Sequence, residues 1–259
     1  MKLRRIVSHP HRQHIPIMLK IGVLFCAVIG GMLFGASPPP LNDPIEGQKL
    51  AREIRALVPT ENARFAGVLR ITLPGTEPRE IPIKSVVTIA GTNWTSAYEA
   101  VLKDSPPEVL IVHRSPTQPN QYEWRRGEQV VKLDGSKATN SFTGSDFALL
   151  DLGLEFFNWP TQTIVLKEMR KGRGCDVLES RPAQPGLYSR VVSWIDQESR
   201  AQGQHGLLMA EGYDRHGKLL KEFEIKSFKK VGGRWEVSEM EIRNRQTKGG
   251  TRLQFDFGQ

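Results

Sequence analysis

The chain has 259 residues, of which 39% are hydrophobic, enough for one large domain or two small ones. Lys and Arg exceed Asp and Glu by eight, but residues 1–20 hold five basic residues and no acid, so the remainder is nearly balanced. No basic stripe interleaved with aromatic residues follows, which argues against a nucleic-acid partner.

An uncharged apolar run, residues 21–36, follows the basic start of the chain. As a helix it would be about 24 Å long, which is short for a bilayer core of about 30 Å. The pattern predicts a signal peptide or an N-terminal membrane anchor over residues 1–37. Three prolines directly after Ser37 would hinder cleavage. We therefore expect an exported protein that faces the periplasm, either soluble after cleavage or tethered to the inner membrane.

A Pro-rich spacer, residues 38–45, separates this leader from the predicted folded domain, residues 46–259. The first element of that domain is an amphipathic helix over residues 46–58. Leu50, Ile54 and Leu57 recur at helical spacing there, and Pro59 ends the pattern.

The apolar period changes to two from residue 64 onward, which predicts about a dozen short antiparallel strands. In the last but one strand Val237 and Met240 lie in different phases of the alternation, a pattern typical of a β-bulge. The predicted fold is mainly β (α+β): a strongly curved antiparallel sheet forms an unclosed β-barrel, with an N-terminal helix and a central helix packed on or in it. The runs are residues 64–73, 79–89, 93–101 and 107–115, and then 161–169, 174–180, 186–196, 205–214, 218–231, 234–245 and 251–257.

The central segment, residues 141–160, interrupts this strand pattern with a helix predicted over residues 147–157. Ser145 is the predicted N-cap. Apolar residues cover more than half of the helix circumference, and Asp151 and Glu155 are predicted to face water. Such an arc indicates either a helix buried on two sides or a helix that lines a cavity for an apolar ligand.

No catalytic arrangement is visible in the sequence of the predicted domain. His113, His205 and His216 are scattered, and none lies at metal-ligand spacing from another ligating residue. Cys175 is predicted to be a buried apolar side chain rather than a nucleophile. We therefore expect a protein that is not an enzyme and that holds no metal and no cofactor.

The stretch SFTGSDFALLDL, residues 141–152, resembles the Phe-x-Gly-Ser-Asp-Phe-x-x-x-Asp-Leu segment of the bacterial outer-membrane lipoprotein-sorting protein family, the Lol carrier-like superfamily. Strings at residues 174–180, 188–196, 211–223 and 232–255 follow in the order of that family. The resemblance implies an unclosed β-barrel around helices, an apolar cavity for acyl chains, export, and no catalysis. Two features depart from it: Leu150 stands where an acidic residue is common, and the leader could remain as an anchor.

The resemblance and the wide apolar arc together predict a periplasm-facing protein that binds lipid or lipoprotein acyl chains. The predicted ligand-binding residues are Phe147, Leu150, Leu154, Phe157 and Trp159. The alternative is a membrane-anchored envelope sensor or scaffold with the same fold and a filled interior, which binds a protein partner instead of lipid.

Overall fold

The computed structural model of the chain describes residues 41–231 and 234–257. The predicted leader and most of the Pro-rich spacer lie outside the described residues. Among the described residues, no helix combines the length and the apolar composition that crossing a bilayer requires. The helices are α1 (Pro44–Arg55), α2 (Leu149–Gly153), a 3-10 helix (Glu155–Asn158) and α3 (Gln197–Ala201). The strands are β1 (Ala63–Thr72), β2 (Arg79–Ala90), β3 (Asn93–Ala100), β4 (Glu108–Arg114), β5 (Gln121–Arg126), β6 (Gln129–Asp134), β7 (Thr161–Arg170), β8 (Arg173–Arg181), β9 (Arg190–Asp196), β10 (Leu207–Tyr213), β11 (Leu219–Val231), β12 (Arg234–Asn244) and β13 (Gly250–Asp256).

All thirteen strands belong to one antiparallel sheet with the order β6-β5-β4-β3-β2-β1-β13-β12-β11-β10-β9-β8-β7. Strands that are consecutive in sequence are neighbours in the sheet, except β6 and β7, and β1 also pairs with β13. Strands β6 and β7 lie at opposite edges, so the sheet is unclosed. Residues 135–160 therefore have to connect one edge of the sheet to the other.

The sheet is strongly curved, as its contacts with this connection show. Strands β5 and β7 are eleven steps apart in the strand order, about 50 Å in a flat sheet at ~4.8 Å per step. Nevertheless, Tyr122 of β5 bonds to Glu155, and Gln162 of β7 bonds to the carbonyl group of the next residue, Phe156. The two outer parts of the sheet thus meet at adjacent residues of the central segment.

Alternation of side chains places the core on the concave face. In β13, Leu253 is buried and Gln254 is exposed, as the period of two predicts. Leu253 lies opposite Leu69 of β1, which in turn lies opposite Ile81 of β2. These inward side chains belong to a single core cluster with the apolar residues of the central segment.

The predicted β-bulge in β12 is confirmed. Ser227 pairs with Glu239, whereas the flanking pairs are Ile225 with Met240 and Phe228 with Val237. The register of β11 against β12 therefore shifts on both sides of Ser227, and Ser238 is the extra residue in β12. The shift accounts for the phase change between Val237 and Met240 in the sequence. Such bulges increase local twist and help a sheet to curl.

Two strands and one helix were not indicated by the sequence. The hairpin of β5 and β6 is mostly polar, and its side chains are largely exposed or half-buried, so no clean alternation marks it. Gly127 has a φ of 57° in its two-residue turn. The short helix α3 begins at the side chain of Asp196, which accepts a hydrogen bond from Ser199 N–H.

Helix α1 covers the outer edge of β7 and ends earlier than residue 58. The Asp43 carboxylate caps its start by accepting from Glu46 N–H at 3.0 Å, and Asp43 pairs through its backbone with Ile164 of β7. The helix ends at Arg55 with Ala56 as its C-cap, and Leu57 N–H bonds to the carbonyl group of Ile54, three residues back, instead of continuing the α-helical pattern. Gly47 allows a close approach, since a Cβ there would lie 2.5 Å from the carbonyl oxygen of Gln162.

Replacing Gly47 with alanine tests this packing. Helix propensity alone predicts a gain in stability, whereas the collision with the backbone of β7 predicts a loss of about 1–3 kcal/mol in the free energy of unfolding. Gly186→Ala is the control, because a Cβ there would meet open space. Chemical denaturation measures both, and a Gly47→Ala variant as stable as the unmodified chain would contradict the described packing of α1.

Candidate functional site

The central segment contains a broken helix instead of the predicted continuous one. Helix α2 has five residues, Leu154 follows with a left-handed φ of 51°, and a 3-10 turn completes the segment. The prediction of a helix over residues 147–157 is wrong because Gly153 is a poor helix former and Leu154 caps the first helix in the left-handed region. Ser145 is not the N-cap: Ala148 holds that position, and the Ser145 hydroxyl accepts from Phe147 N–H.

Asp151 is buried, so the prediction that it faces water is also wrong. Its carboxylate accepts hydrogen bonds from Ala148 N–H at 2.8 Å and from the Tyr188 hydroxyl at 2.9 Å. The ammonium group of Lys221, on β11, lies 3.4 Å from the same carboxylate and donates to the Asp146 carbonyl at 2.6 Å. Burial raises the pKa of the Tyr188 hydroxyl, which therefore remains a donor. Asp151 thus attaches the start of α2 to the sheet.

The Gly-Ser-Asp-Phe string forms a turn whose polar groups are satisfied by the sheet. Phe142 and Phe147 pair through their backbones at 2.8 Å. The hydroxyl of Thr251, on β13, accepts from Asp146 N–H at 2.9 Å and donates to the Asp146 carboxylate at 3.2 Å. Burial raises the pKa of Asp146. Glu108 of β4 accepts from Thr143 N–H at 2.9 Å. The motif therefore attaches the first part of the central segment to the sheet.

A second set of contacts holds the end of α2. The guanidinium group of Arg114, on β4, donates to the carbonyl groups of Gly153 at 2.6 Å and Leu152 at 3.1 Å. These carbonyls are the ones that a helix end leaves without intrahelical partners. Arg114 also lies 4.7 Å from the ring centroid of Trp94. A Cβ on Gly153 would lie 1.9 Å from the Tyr122 hydroxyl, so this position requires glycine.

Glu155 is buried beside this end of the helix, which again corrects the expected exposure. Its carboxyl group accepts a hydrogen bond from Tyr122 at 2.9 Å, and Asn158 contacts it at 3.4 Å. Burial raises the pKa of Glu155 to about 7, an effect that these hydrogen bonds and the charge of Arg114 only partly offset. The group is therefore partly protonated at neutral pH.

The predicted ligand-binding residues all lie in the central segment, but they contact the protein's own core. Phe147, Leu150 and Phe157 are buried, while Leu154 and Trp159 are half-buried and pack against the same cluster. The Phe147 ring meets the Phe223 ring of β11 edge-on, with centroids 6.4 Å apart. Their contact with an acyl chain stays a prediction.

A small cavity remains between the central segment and the sheet. Its volume is about 20 Å³, room for about one water molecule. Of the predicted ligand-binding residues, Leu154 lines it. The other lining residues are Asp151, Phe156, Tyr188, Val191, Ala210, Gly212, Lys221, Phe223 and Ile242. Between the central segment and the strands that line this cavity, the described side chains thus fill most of the space.

The residues outside the central segment that hold it were missed by the sequence analysis. Arg114, Tyr122, Tyr188 and Lys221 lie far in sequence from the segment they hold, so no spacing connects them to it. One signal was present: Lys221 shares the parity of Phe223 and therefore places a charge on an otherwise apolar face.

Other candidate chemistry is limited in the part of the chain that the structure describes. No three His, Cys, Asp or Glu side chains converge there on a possible metal position. Cys175 is fully buried, as predicted, and burial raises the pKa of its thiol. It packs in a smaller apolar cluster with Val177 and Trp194.

Glu155→Gln tests the raised pKa. Because the folded-state pKa of about 7 exceeds the ordinary 4.5, the folded state binds more protons in this window, and stability falls as the pH rises through 7. Between pH 5 and 8 the unmodified chain should lose on the order of 3 kcal/mol that the variant retains. Denaturation at several pH values measures this. Glu77→Gln, at an exposed position, is the control, and parallel pH profiles for the chain and its Glu155 variant would contradict the assignment.

Comparison with known proteins gives a family match and several similar folds. A family model with the description "Uncharacterized protein" matches residues 125–257, more than half of the chain. No curated protein sequence matches. A solved DUF1329 family protein from Desulfovibrio piger has a TM-score of 0.68 and 20% identity, over 83% of this chain and 92% of that one.

Two further solved structures share the fold. A putative outer membrane lipoprotein-sorting protein domain from Vibrio parahaemolyticus has a TM-score of 0.64 and 20% identity, over 83% of this chain and 94% of that one. A LolA superfamily protein from Nitrosomonas europaea has a TM-score of 0.58 and 14% identity, over 81% and 91%. The chain belongs to the family of the model that matches residues 125–257, and it shares its fold with these solved proteins, as the resemblance of the string at residues 141–152 predicted.

Proposed function

We propose that this protein is a non-catalytic lipid- or lipoprotein-binding protein of the bacterial envelope that faces the periplasm. In this proposal it holds acyl chains against the concave face of its sheet. One observation carries the proposal: the concave face is occupied by the central segment of the chain itself, which packs its apolar side chains there and is attached by polar contacts at both ends of α2. A surface that buries such a segment offers an acyl chain the same apolar contacts.

The concave face is suited to acyl chains because its central strands present aliphatic side chains. Leu69, Ile83, Leu110 and Leu253 are almost fully buried there. Burial of each methylene group is worth about 0.8 kcal/mol and requires no particular direction. Such a surface binds chains of different length and releases them without breaking specific bonds.

The central segment has to move for a chain to enter. A cavity of about 20 Å³ is far smaller than the roughly 300–1,000 Å³ of typical small-molecule pockets. Helix α2 and the 3-10 helix have five and four residues, too short to be stable without tertiary contacts. The segment is thus held in place by its contacts with the sheet. Its departure would not have to disrupt a helix that is stable by itself.

Analysis of lipids bound to the purified chain tests the proposal directly. We expect acyl lipids to appear in mass spectra of organic extracts of the full chain. We also expect the delipidated chain to take up a fluorescent fatty acid. The absence of both would refute acyl-chain binding.

Arg114→Met should accelerate this uptake. The substitution removes the hydrogen bonds to the carbonyl groups of Leu152 and Gly153 and retains an apolar side chain against Trp94. Each hydrogen bond from a charged group is worth about 1.5–3 kcal/mol, so we expect uptake at least about ten-fold faster. Arg126→Met, at an exposed position of β5, is the control. Equal rates for all three proteins would show that Arg114 does not hold the segment closed.

A second function is favoured by the filled interior: an anchored envelope sensor or scaffold that binds a protein partner. It predicts that the leader stays in place, whereas a soluble carrier predicts its removal near residue 37. Mass spectrometry of the N-terminus of the protein isolated from the envelope distinguishes them. An uncleaved N-terminus together with no lipid uptake would favour the scaffold.

A further inference from the structure

Lys221 is a buried cation whose close polar partners both belong to the central segment. Its ammonium group contacts the Asp146 carbonyl at 2.6 Å and the Asp151 carboxylate at 3.4 Å, and its side chain is only 10% exposed. Burial of an ammonium group is costly unless a negative group lies close by. The charge of Lys221 is therefore compensated by a segment of the chain that is not part of the sheet.

Among the described residues, the carboxylate that pairs with Lys221 comes from the central segment and not from the neighbouring strands. The residues directly opposite are Gly212 on β10 and Asn244 on β12. The cavity beside Lys221 is lined by Phe223, Ile242 and other largely apolar residues. The Lys221 ammonium nitrogen lies 6.0 Å from the centroid of the Tyr188 ring, and the Tyr188 hydroxyl group donates to Asp151.

Departure of the central segment would thus leave the Lys221 ammonium group without its carboxylate partner in a largely apolar hollow. We propose that the acyl ligand carries an anionic headgroup, a carboxylate or a phosphate, and that Lys221 binds this headgroup in exchange for Asp151. This inference rests on the proposed function and names the class of lipid: an acidic amphiphile, whose chain replaces Phe147 and its neighbours while its head replaces Asp151.

Arg114 differs from Lys221 in a way that makes the assignment specific. Its hydrogen-bond partners in the central segment are neutral carbonyl groups, and the ring of Trp94, which belongs to the sheet, remains beside it when that segment leaves. Arg114→Met should therefore change the rate of uptake without changing the preference for one headgroup over another. The headgroup preference should follow Lys221.

Amphiphiles with one tail and different heads test the inference on the full chain. Dodecanoate, dodecanol and dodecyltrimethylammonium compete with a fluorescent acyl probe, and the competition gives their dissociation constants. We expect dodecanoate to bind at least about ten-fold tighter than dodecanol, since a hydrogen bond to a charged group is among the stronger ones. Dodecyltrimethylammonium should bind least. Inorganic phosphate alone should not compete, because it lacks the chain.

The double variant Asp151→Asn with Lys221→Met removes both charges and leaves no buried carboxylate unpaired. It should bind dodecanol at least as tightly as the unmodified chain does, because contacts that hold the central segment are removed, and it should lose the preference for dodecanoate over dodecanol to within about two-fold. Lys221→Arg should keep the preference, and so should Lys229→Met, an exposed position of the same strand.

The outcomes separate this inference from the proposed function. Equal affinity of the unmodified chain for dodecanoate and dodecanol overturns the headgroup assignment and leaves acyl-chain binding in place. A preference that survives in the double variant overturns it as well, and so does effective competition by inorganic phosphate. Failure of all three amphiphiles to bind refutes the proposed function itself.

Discussion

The structure depends on one topological constraint: the strands that precede and follow the central segment lie at opposite edges of the sheet. The connection must pass from β6 to β7, and the curled sheet brings both edges to the same short stretch, where Tyr122 and Gln162 bond to adjacent residues. The connection therefore fills the concave face. Its apolar side chains complete a core that the strands alone would leave open to water.

The two ends of α2 are held by different electrostatics. At the first end Asp151 is an ion-paired and hydrogen-bonded carboxylate, with Lys221 and Tyr188 as partners. At the second end Glu155 has a hydrogen bond from Tyr122, but burial dominates its pKa, and Arg114 instead bonds to backbone carbonyls. A paired buried charge is strongly position-specific, whereas a buried carboxyl group near its pKa adapts by binding a proton. The position of α2 is thus fixed by an ion pair at its first end, whereas the contacts at its second end depend on pH.

The sequence predicted the sheet better than the segment inside it. Alternation in β13 and the phase change between Val237 and Met240 are local signals, because a strand repeats every two residues whatever it packs against. The prediction of one helix over residues 147–157 was wrong. The wide apolar arc arises because the sheet encloses the segment, and this enclosure buries Asp151 and Glu155 as well. Their partners, Lys221 and Tyr122, lie on strands that come close to the central segment only when the sheet has curled around it. The hairpin of β5 and β6 escaped notice because its exposed surface carries no alternation.

A filled interior also bears on what the predicted ligand-binding residues would do. If an acyl chain occupies the concave face, Phe147, Leu150 and Phe157 compete with it for the same side chains of the sheet instead of lining its pocket. The observed affinity is then the intrinsic affinity reduced by the fraction of molecules in which the segment has moved away. Contacts such as those of Arg114 with α2 lower that fraction. Under the proposed function, the stability of the seated segment therefore sets how tightly an acyl chain is held, and a moderate stability makes that binding reversible.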